Sequence, residues 1–500
     1  MLEVVVCFAA AAAMAATALN VKVDPLQRTG QVSGLASIQL RYVWLILPML
    51  AALILAARLR GGAWFAMTSR LFCAALAGFA TGFVAAGLIV ALRGTSWCLN
   101  ANGGDMSVIV GLVDEMGQNP EVGYPHPFYP PLFPHLLRWY MNATDLNGYF
   151  AMQHMQIVGT ALFGPAAYLS WRLLLRPGWA LGIGVVASLP LIESYKPYSG
   201  LTLVILIPVL IKFIQYVKKA ALRTPHQLAK AGVVFGVVFG VLLLLYSGWF
   251  RWCAPGAVMA GLCVAPWRNG KARAALLIAI TFGVFVIVTW GYWTSVTTYI
   301  HATAGNGVPM VNDDYIYFDV RTDPAYVAMW RTDLPGPVGV WPPHGELAGI
   351  GAFMVLLLAG LATAIAVGRR RTVVITVGCV LGGAWLLRFW YAHFLWQTKL
   401  VQLYPRTTSL IVYCLILLTG FAVYYVVEHV VRKTDPQKPI RTSGMIGAAC
   451  ALALLFGMAG SAIADRYMPT DAEPRGLGWL TWVAHDAHHV EQRNEPQPDR

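Results

Sequence analysis

Long apolar segments separated by polar connections dominate the chain. An apolar helix needs about 20 residues to cross a bilayer, and somewhat fewer where helices pack inside a bundle. Thirteen segments meet this criterion: 2–19, 40–57, 71–92, 155–175, 179–193, 199–217, 231–247, 252–266, 275–290, 347–367, 372–390, 407–427 and 444–464. The pattern predicts an all-α polytopic membrane protein in which the two short segments, 179–193 and 252–266, are broken or tilted.

Composition supports this class of protein. The chain is 58% apolar and only 12% charged, whereas soluble domains carry roughly 25% charged residues. The net charge of +13 does not indicate a nucleic-acid partner, because Lys and Arg cluster in the connections between apolar runs, as membrane topology requires. The eight cysteines form no CxxC pair and no spacing with His that is typical of zinc. Membrane lipids, and not nucleic acid, are therefore the predicted surroundings.

The positions of the basic residues predict the orientation of the spans. Six basic groups fall in alternate connections, which puts all of them on one side, and an excess of Lys and Arg marks that side as the cytoplasm. The groups are Arg58, Arg60 and Arg70; Arg172 and Arg176; Lys212, Lys218, Lys219, Arg223 and Lys230; Arg268, Lys271 and Arg273; Arg369, Arg370 and Arg371; and Arg432, Lys433, Lys438 and Arg441. The first helix has no basic stretch before it, so we interpret it as a retained anchor.

This orientation divides the chain into a membrane domain, 1–464, and an extracytoplasmic C-terminal tail, 465–500. The loops 94–154, 291–346 and 391–406 also lie on the extracytoplasmic face of the cell membrane. ATP and nucleotide sugars are not available there, so chemistry on that face needs an activated donor that the membrane carries. The sequence contains no Walker-type loop, no HExxH and no GxSxG pattern.

The first external loop contains the stretch with the clearest candidate chemistry. Asp105 follows two glycines, and prolines at 120, 125, 127, 130, 131 and 134 exclude a helix that crosses the bilayer. Because glycine lets the main chain approach a ligand closely, Asp105 is a candidate catalytic residue. His126 and Tyr129, in the proline-rich run, are candidates for binding the sugar or its acceptor. A simpler interpretation also fits, in which Asp105 caps a helix over 106–116.

The external loop 291–346 is rich in Asp, Tyr, Pro and Gly. Asp313 and Asp314 are candidates for hydrogen bonds to sugar hydroxyls, with aromatic rings stacking on the sugar faces. A solvated loop with an interfacial aromatic belt explains the same composition. The adjacent acids could also bind a divalent cation, but two acids alone are weak evidence for a metal. The chemistry considered below requires no metal and no other cofactor.

Several cationic residues fall near the predicted outer ends of the spans. A charge left unpaired at this depth costs several kcal/mol, so these residues need a partner. If the helix ends converge, their side chains form a pocket suited to a phosphate. The candidates are Lys196, Arg251, Arg388, His393, Lys399 and Arg406. Snorkelling of some of these side chains to lipid headgroups is the alternative.

A single carboxylate beside a phosphate pocket suits glycosyl transfer from a polyprenyl-phosphate sugar. The carboxylate takes the proton of the acceptor hydroxyl as that hydroxyl attacks the anomeric carbon. The cations stabilise the phosphate that leaves. One base is enough for a single inverting displacement, so a second carboxylate at a fixed separation is not required.

The chain resembles the GT-C membrane glycosyltransferases, and among them the galactan 5-O-arabinofuranosyltransferases of the AftA type. The resemblance covers roughly 70–430 and depends on Gly104-Asp105, Pro127-Phe128-Tyr129-Pro130, Pro197-Tyr198 and Arg406-Thr407-Thr408. It implies a GT-C-like helical bundle with an external active site and a decaprenylphosphoryl-arabinofuranose donor. It also implies that Asp105 occupies the position of the family's catalytic acid residue.

The sequence departs from this family at its C-terminus. The wall-building enzymes end in a sizeable folded external domain, whereas only 36 residues follow the last span here. The acceptor is therefore either a cell-wall glycan or a small lipophilic natural product such as a polyketide. The tail ends in a His-rich, charged stretch for which we expect a disordered terminus. The alternative function is that of a non-catalytic flippase or transporter for lipid-linked sugars, although the paired repeats of a transporter are not evident.

The positive-inside pattern generates a first testable prediction. We expect an odd number of spans and an extracytoplasmic C-terminus. A reporter that works only outside the cytoplasm should be active when it is fused after Arg500. Activity from a reporter that works only in the cytoplasm would overturn both the orientation and the external reaction.

Overall fold

The computed structural model describes residues 1–59, 62–118, 129–303, 352–398, 406–434, 442–472 and 476–494. All regular secondary structure in these ranges is helical, which confirms the all-α prediction for the described part of the chain. Nine helices in these ranges are long and apolar enough to cross a membrane. They run over Leu2–Asn20, Arg28–Arg58, Gly62–Ala91, Pro197–Lys218, Pro225–Leu245, Lys271–Thr297, Thr372–Tyr391, Thr407–Val430 and Ile446–Asp465.

We number the helices in chain order. They are α1 Leu2–Thr17, α2 Arg28–Arg58, α3 Gly62–Ala91, α4 Asp105–Gln118, α5 Leu132–Thr144, α6 Gly148–Trp171, α7 Pro177–Leu191, α8 Pro197–Lys218, α9 Pro225–Leu245, α10 Gly248–Val264, α11 Lys271–Thr303, α12 Ala352–Gly368, α13 Thr372–Thr398, α14 Arg406–Thr434, α15 Thr442–Asp465 and α16 Leu477–Asn494. Short helical turns follow at Ala18–Asn20 and Ala220–Leu222.

Four of the thirteen predicted spans are not among these nine. The predicted segments 179–193 and 347–367 fall on the short apolar helices Pro177–Leu191 and Val355–Gly368. The helix α7 widens to a π-helical turn at Ala180–Val185 but continues to Leu191, so the expectation that this segment is broken or tilted stays a prediction. The predicted segment 252–266 falls on α10, which has 17 residues, and 155–175 falls on the less apolar α6, which has 24.

The chain divides into two compact units, and Met1–Ile205 with Lys438–Arg500 form the first. Its central element is α3, against which α1, α2, α6 and α15 pack. Small residues make this packing close: a Cβ atom at Gly78 would collide with the carbonyl of Cys7, and one at Gly87 would collide with Ala464. Thr81 also donates a hydrogen bond to the Ala161 carbonyl at 2.9 Å. Close contact between main chains and hydrogen bonds across helices are the usual basis of helix association in membranes.

An ion cluster contacts the N-terminal part of α3 at Arg70. Glu3 accepts hydrogen bonds from Arg70 at 2.6 Å and from Arg172 at 3.2 Å. The predicted topology assigns all three residues to the same side of the membrane, and the structure brings them together. Ala91 lies 21 residues beyond Arg70 along α3, or about 32 Å at 1.5 Å per residue. That distance matches the roughly 30 Å thickness of the hydrocarbon core.

The second unit, Leu206–Gln437, contains pairs of packed helices. Helix α9 packs on α11, α10 on α13, and α14 on both α12 and α13. One close approach is between Gly256 of α10 and Gly383 of α13, where a Cβ atom on Gly383 would lie 2.6 Å from the Gly256 amide nitrogen.

The C-terminal tail differs from the sequence prediction. Instead of a disordered terminus, 477–494 form α16. Thr481, Ala484 and His485 are buried, so α16 packs against the rest of the first unit along one face. The prediction overlooked the helical spacing of these positions because the segment is polar and rich in His.

The glycine contact in the second unit leads to a prediction about stability. Gly383→Ala should lower the free energy of unfolding by about 1–3 kcal/mol, because the new methyl group has no room against α10. Gly378→Ala, in the same helix, is the matched control, since a Cβ atom there meets nothing within 4 Å. Thermal unfolding of both variants in detergent measures the difference. Equal unfolding temperatures would contradict the close packing of α10 on α13.

Candidate active site

The structure joins two of the residues singled out by the sequence, Asp105 and Lys196. The Lys196 ammonium donates a hydrogen bond to Oδ2 of Asp105 at 2.5 Å. The side chain of Lys196 is only 8% exposed, whereas that of Asp105 is 29% exposed. A buried cation thus contacts a carboxylate that remains open to solvent, and this is an arrangement in which the carboxylate can reach an incoming molecule.

A tight turn before α4 places Asp105. Asn100 and Gly103 both have a positive φ, of 61° and 69°. Gly104 lies so close to the Asn100 side chain that a Cβ atom would collide with it. Ser107 closes the turn, since its hydroxyl donates to the Gly104 carbonyl at 2.7 Å. Asp105 is the first residue of α4, so its negative charge also lies at the favourable end of the helix dipole. A helix is therefore present where the simpler interpretation expected one, but Asp105 is its first residue and not the cap that precedes it.

A second turn, at 192–196, places Lys196. The Lys196 amide donates to the Glu193 carbonyl at 2.9 Å, and Pro197 begins α8 immediately afterwards. Gly159 of α6 lies directly against Pro197, with 2.7 Å between a Cβ atom at Gly159 and the proline Cγ. A larger side chain at 159 would therefore push the start of α8, and Lys196 with it, away from α6.

Two glutamine side chains of α6 bind the segment 95–99, which precedes the turn at Asp105, and the turn before Lys196. Gln156, fully buried, binds the amide and the carbonyl of Leu99, both at 3.0 Å, and donates to the Tyr195 carbonyl at 3.2 Å. Gln153 donates to the carbonyls of Thr95 and Trp97 at 2.9 and 3.0 Å. The sequence analysis did not single out these two residues. Two amides at i and i+3 in an otherwise apolar helix were the available signal.

Aromatic rings border the pair on one side. The ring centroid of Tyr129 lies 6.0 Å from the Lys196 ammonium nitrogen, a cation–π contact. Phe133 stacks on Tyr198 at 4.2 Å between centroids, and both side chains are buried. Tyr129, predicted as an acceptor or sugar contact, thus lies at the Asp105–Lys196 pair. Whether it binds a sugar stays a prediction.

The other predicted site residues fall into two sets. His126, Asp313, Asp314 and Lys399 lie outside the described residues, and so does the side chain of Arg406, the residue that begins α14. Arg251 in α10 and His393 in α13 are exposed and belong to the second unit. Convergence of Lys196, Lys399 and Arg406 on one phosphate therefore stays a prediction.

The second unit contains a buried cation of its own. Arg388 in α13 is 1% exposed. Its guanidinium donates to the hydroxyls of Thr407 and Thr408 at 3.1 and 2.6 Å. These two threonines are part of the Arg406-Thr407-Thr408 motif at the start of α14, so the structure connects the motif with Arg388. Within the ranges that the structure describes, His, Cys, Asp and Glu do not form a group of three or more that could hold a metal ion.

The comparisons with known proteins add no relative. No model of a known protein family matches the chain, and no curated protein matches it significantly. The geometry around Asp105 and Lys196 is therefore the basis for the functional argument.

Helix α16 contains a buried histidine, His485. His485 of α16 lies 2.8 Å from the Ala91 carbonyl through Nε2. Burial lowers the pKa of His485 below its ordinary value of 6.5. The hydrogen bond to Ala91 and the charge of Asp24 oppose this shift, and the nearby His489 and His488 add to it.

We predict that α16 is held less firmly at acidic pH. The folded state binds the His485 proton more weakly than the unfolded state does. The stability that neutral His485 contributes is therefore fully present above its ordinary pKa of 6.5 and is lost as the pH falls below that value. Hydrogen exchange of α16 should therefore be faster at about pH 5.5 than at about pH 7.5, after correction for the intrinsic rate. His485→Gln should weaken this dependence, whereas the exposed His226→Gln should keep it. An unchanged dependence in His485→Gln would assign the effect to another group.

Proposed function

We propose that the protein is an inverting membrane glycosyltransferase that moves a sugar from a polyprenyl-phosphate donor to an acceptor hydroxyl on the extracytoplasmic face. The observation that carries the proposal is the contact between Asp105 and Lys196. The sequence argument selected the first as a base and the second as a phosphate ligand, each for its own reasons. Their contact at 2.5 Å supports a single site in which a proton acceptor lies next to a ligand for the leaving phosphate.

The proposed roles follow from the chemistry of each side chain. Asp105, the more exposed of the two, takes the proton of the acceptor hydroxyl. Lys196 stabilises the charge that develops on the departing phosphate. An ammonium group carries three N–H donors, so its hydrogen bond to Asp105 is compatible with a contact to a phosphate oxygen. Holding both groups on fixed turns before the donor arrives reduces the reorganisation that the reaction would otherwise require.

The donor and the acceptor are narrower parts of the proposal. The resemblance to the arabinofuranosyltransferases supports a decaprenylphosphoryl-arabinose donor and a pentosyl product. Further phosphate contacts would come from Arg251, His393, Lys399 and Arg406. His126, Tyr129, Asp313 and Asp314 would bind the acceptor, either a cell-wall glycan or a small lipophilic natural product. The finer topology of about thirteen spans, with the site at the outer ends, belongs to the same proposal.

The test is turnover of a polyprenyl-phosphate arabinose by the purified protein with and without Asp105. Asp105→Asn keeps the size of the side chain but removes its basicity, so turnover should fall by roughly 10²–10⁴-fold while folding and donor binding persist. Asp114→Asn is the matched control, because Asp114 is exposed in the same helix. Asp145→Asn is a second control, at a left-handed position that asparagine tolerates.

Two outcomes would change the proposal. If Asp105→Asn stays active and a control variant does not, the base has been assigned to the wrong residue. If the wild-type protein binds the donor without turning it over, a flippase or transporter replaces the transferase.

Mass spectrometry of membrane extracts and secreted metabolites, with and without the gene, identifies the acceptor as the species that lacks one pentose when the gene is absent.

A further inference from the structure

The C-terminal part of the chain contacts the turn before Lys196 and the segment 91–97, which precedes the turn at Asp105. We define the C-terminal clasp as Tyr467 together with helix α16. Tyr467 binds the turn before Lys196, and helix α16 binds the non-helical segment that leads to Asp105. The clasp itself does not contribute a side chain to the contact between Asp105 and Lys196, so any role in the site is exerted through these two segments.

Tyr467 binds the turn before Lys196. Its side chain is fully buried, and its hydroxyl accepts a hydrogen bond from the Ser194 amide at 3.1 Å while donating to the Ile192 carbonyl at 3.2 Å. These main-chain groups lie two and four residues before Lys196. Without the hydroxyl, an amide and a carbonyl would be left buried and unpaired, which favours a shift of the turn.

Helix α16 binds the segment that leads to Asp105. Thr95 donates to the Ala484 carbonyl at 2.8 Å, and Trp97 donates through Nε1 to Glu491 at 2.7 Å. Next to them, His485 meets the Ala91 carbonyl. The following residues, Cys98 and Leu99, are fully buried and continue towards Asp105. Helix α16 and the two glutamines of α6 thus both bind this segment.

We propose that the C-terminal clasp is a positioning element that sets the contact between Asp105 and Lys196, with Tyr467 as its principal residue. Helix α6 binds both segments through Gln153 and Gln156, and the clasp binds the same two segments from a different part of the chain. Segments bound by two separate elements have less freedom to move than segments bound by one. The geometric part of this inference is independent of the reaction, and only its consequence for turnover rests on the proposed function.

The test measures how often the Asp105–Lys196 contact opens. Because the Lys196 side chain is 8% exposed, an amine-reactive succinimidyl ester should label it only after the contact opens. The labelling rate, measured by peptide mass spectrometry of the full-length protein in detergent, then follows the opening equilibrium. Lys22 is exposed and serves as the internal reference for the reagent.

Tyr467→Phe keeps the ring and removes the hydroxyl, so labelling of Lys196 relative to Lys22 should rise roughly three- to tenfold. Thr95→Val, which removes the bond to Ala484, should raise labelling in the same direction. Tyr42→Phe is the matched control. Tyr42 is also buried in the first unit, and its hydroxyl donates to the Ala453 carbonyl at 2.6 Å, but that bond joins α2 to α15 and does not touch either turn.

The control separates positioning from general loss of stability. If Tyr467→Phe raises the labelling of Lys196 no more than Tyr42→Phe does, the positioning role is wrong. The measurement also separates this inference from the proposed function, since it needs no substrate. If labelling responds as expected but the wild-type protein does not turn over the donor, the clasp stands and the transferase does not. If turnover occurs, Tyr467→Phe should lower kcat and Tyr42→Phe should not.

Discussion

The need to satisfy buried main-chain polar groups governs the region around Asp105 and Lys196. A buried amide or carbonyl cannot rely on water, and leaving it without a hydrogen bond costs about 1–3 kcal/mol. The segments around 95–99 and 192–196 are non-helical and largely buried. Several of their polar groups are bound by side chains: by Gln153 and Gln156 from α6, by Tyr467, and by the Thr95 hydroxyl, which accepts a hydrogen bond from the Trp97 amide. The two functional candidates meet because the chain that carries them is bound in this way.

Close helix packing provides the frame on which these turns are held. Helix α3 can serve as the centre of the first unit because Ala and Gly dominate its middle, which lets α1 and α15 approach its main chain. Close packing through glycine recurs in the second unit, where Gly256 and Gly383 lie against each other. In both cases association depends on the absence of side chains at a few positions and not on charge. The ion cluster of Glu3, Arg70 and Arg172 then fixes one end of the first unit.

The sequence predicted the helical class and most of the helices, and it singled out Asp105 and Lys196 separately as candidate site residues. It did not predict their contact, because 91 residues separate them and periodicity reports only local structure. It also missed Gln153, Gln156 and Tyr467, whose roles depend on which distant main-chain groups lack partners. The tail was assigned to disorder from its polar composition, although Thr481, Ala484 and His485 repeat at the spacing of a helix. Three small or polar residues on one face give only a weak hydrophobic signal. Such a face is recognised as buried only when the helices that pack against it are known.

The contact between Tyr467 and the turn before Lys196 has a consequence for biosynthesis. The two partners are 273 residues apart in the chain, so the turn is synthesised long before its tyrosine exists. At about 5–20 residues per second, this interval lasts about 14 to 55 seconds. The helices that precede Tyr467 are therefore synthesised before the hydrogen bonds between Tyr467 and the Lys196 turn can form. A chain that stops before Tyr467 would lack the side chain that binds this turn.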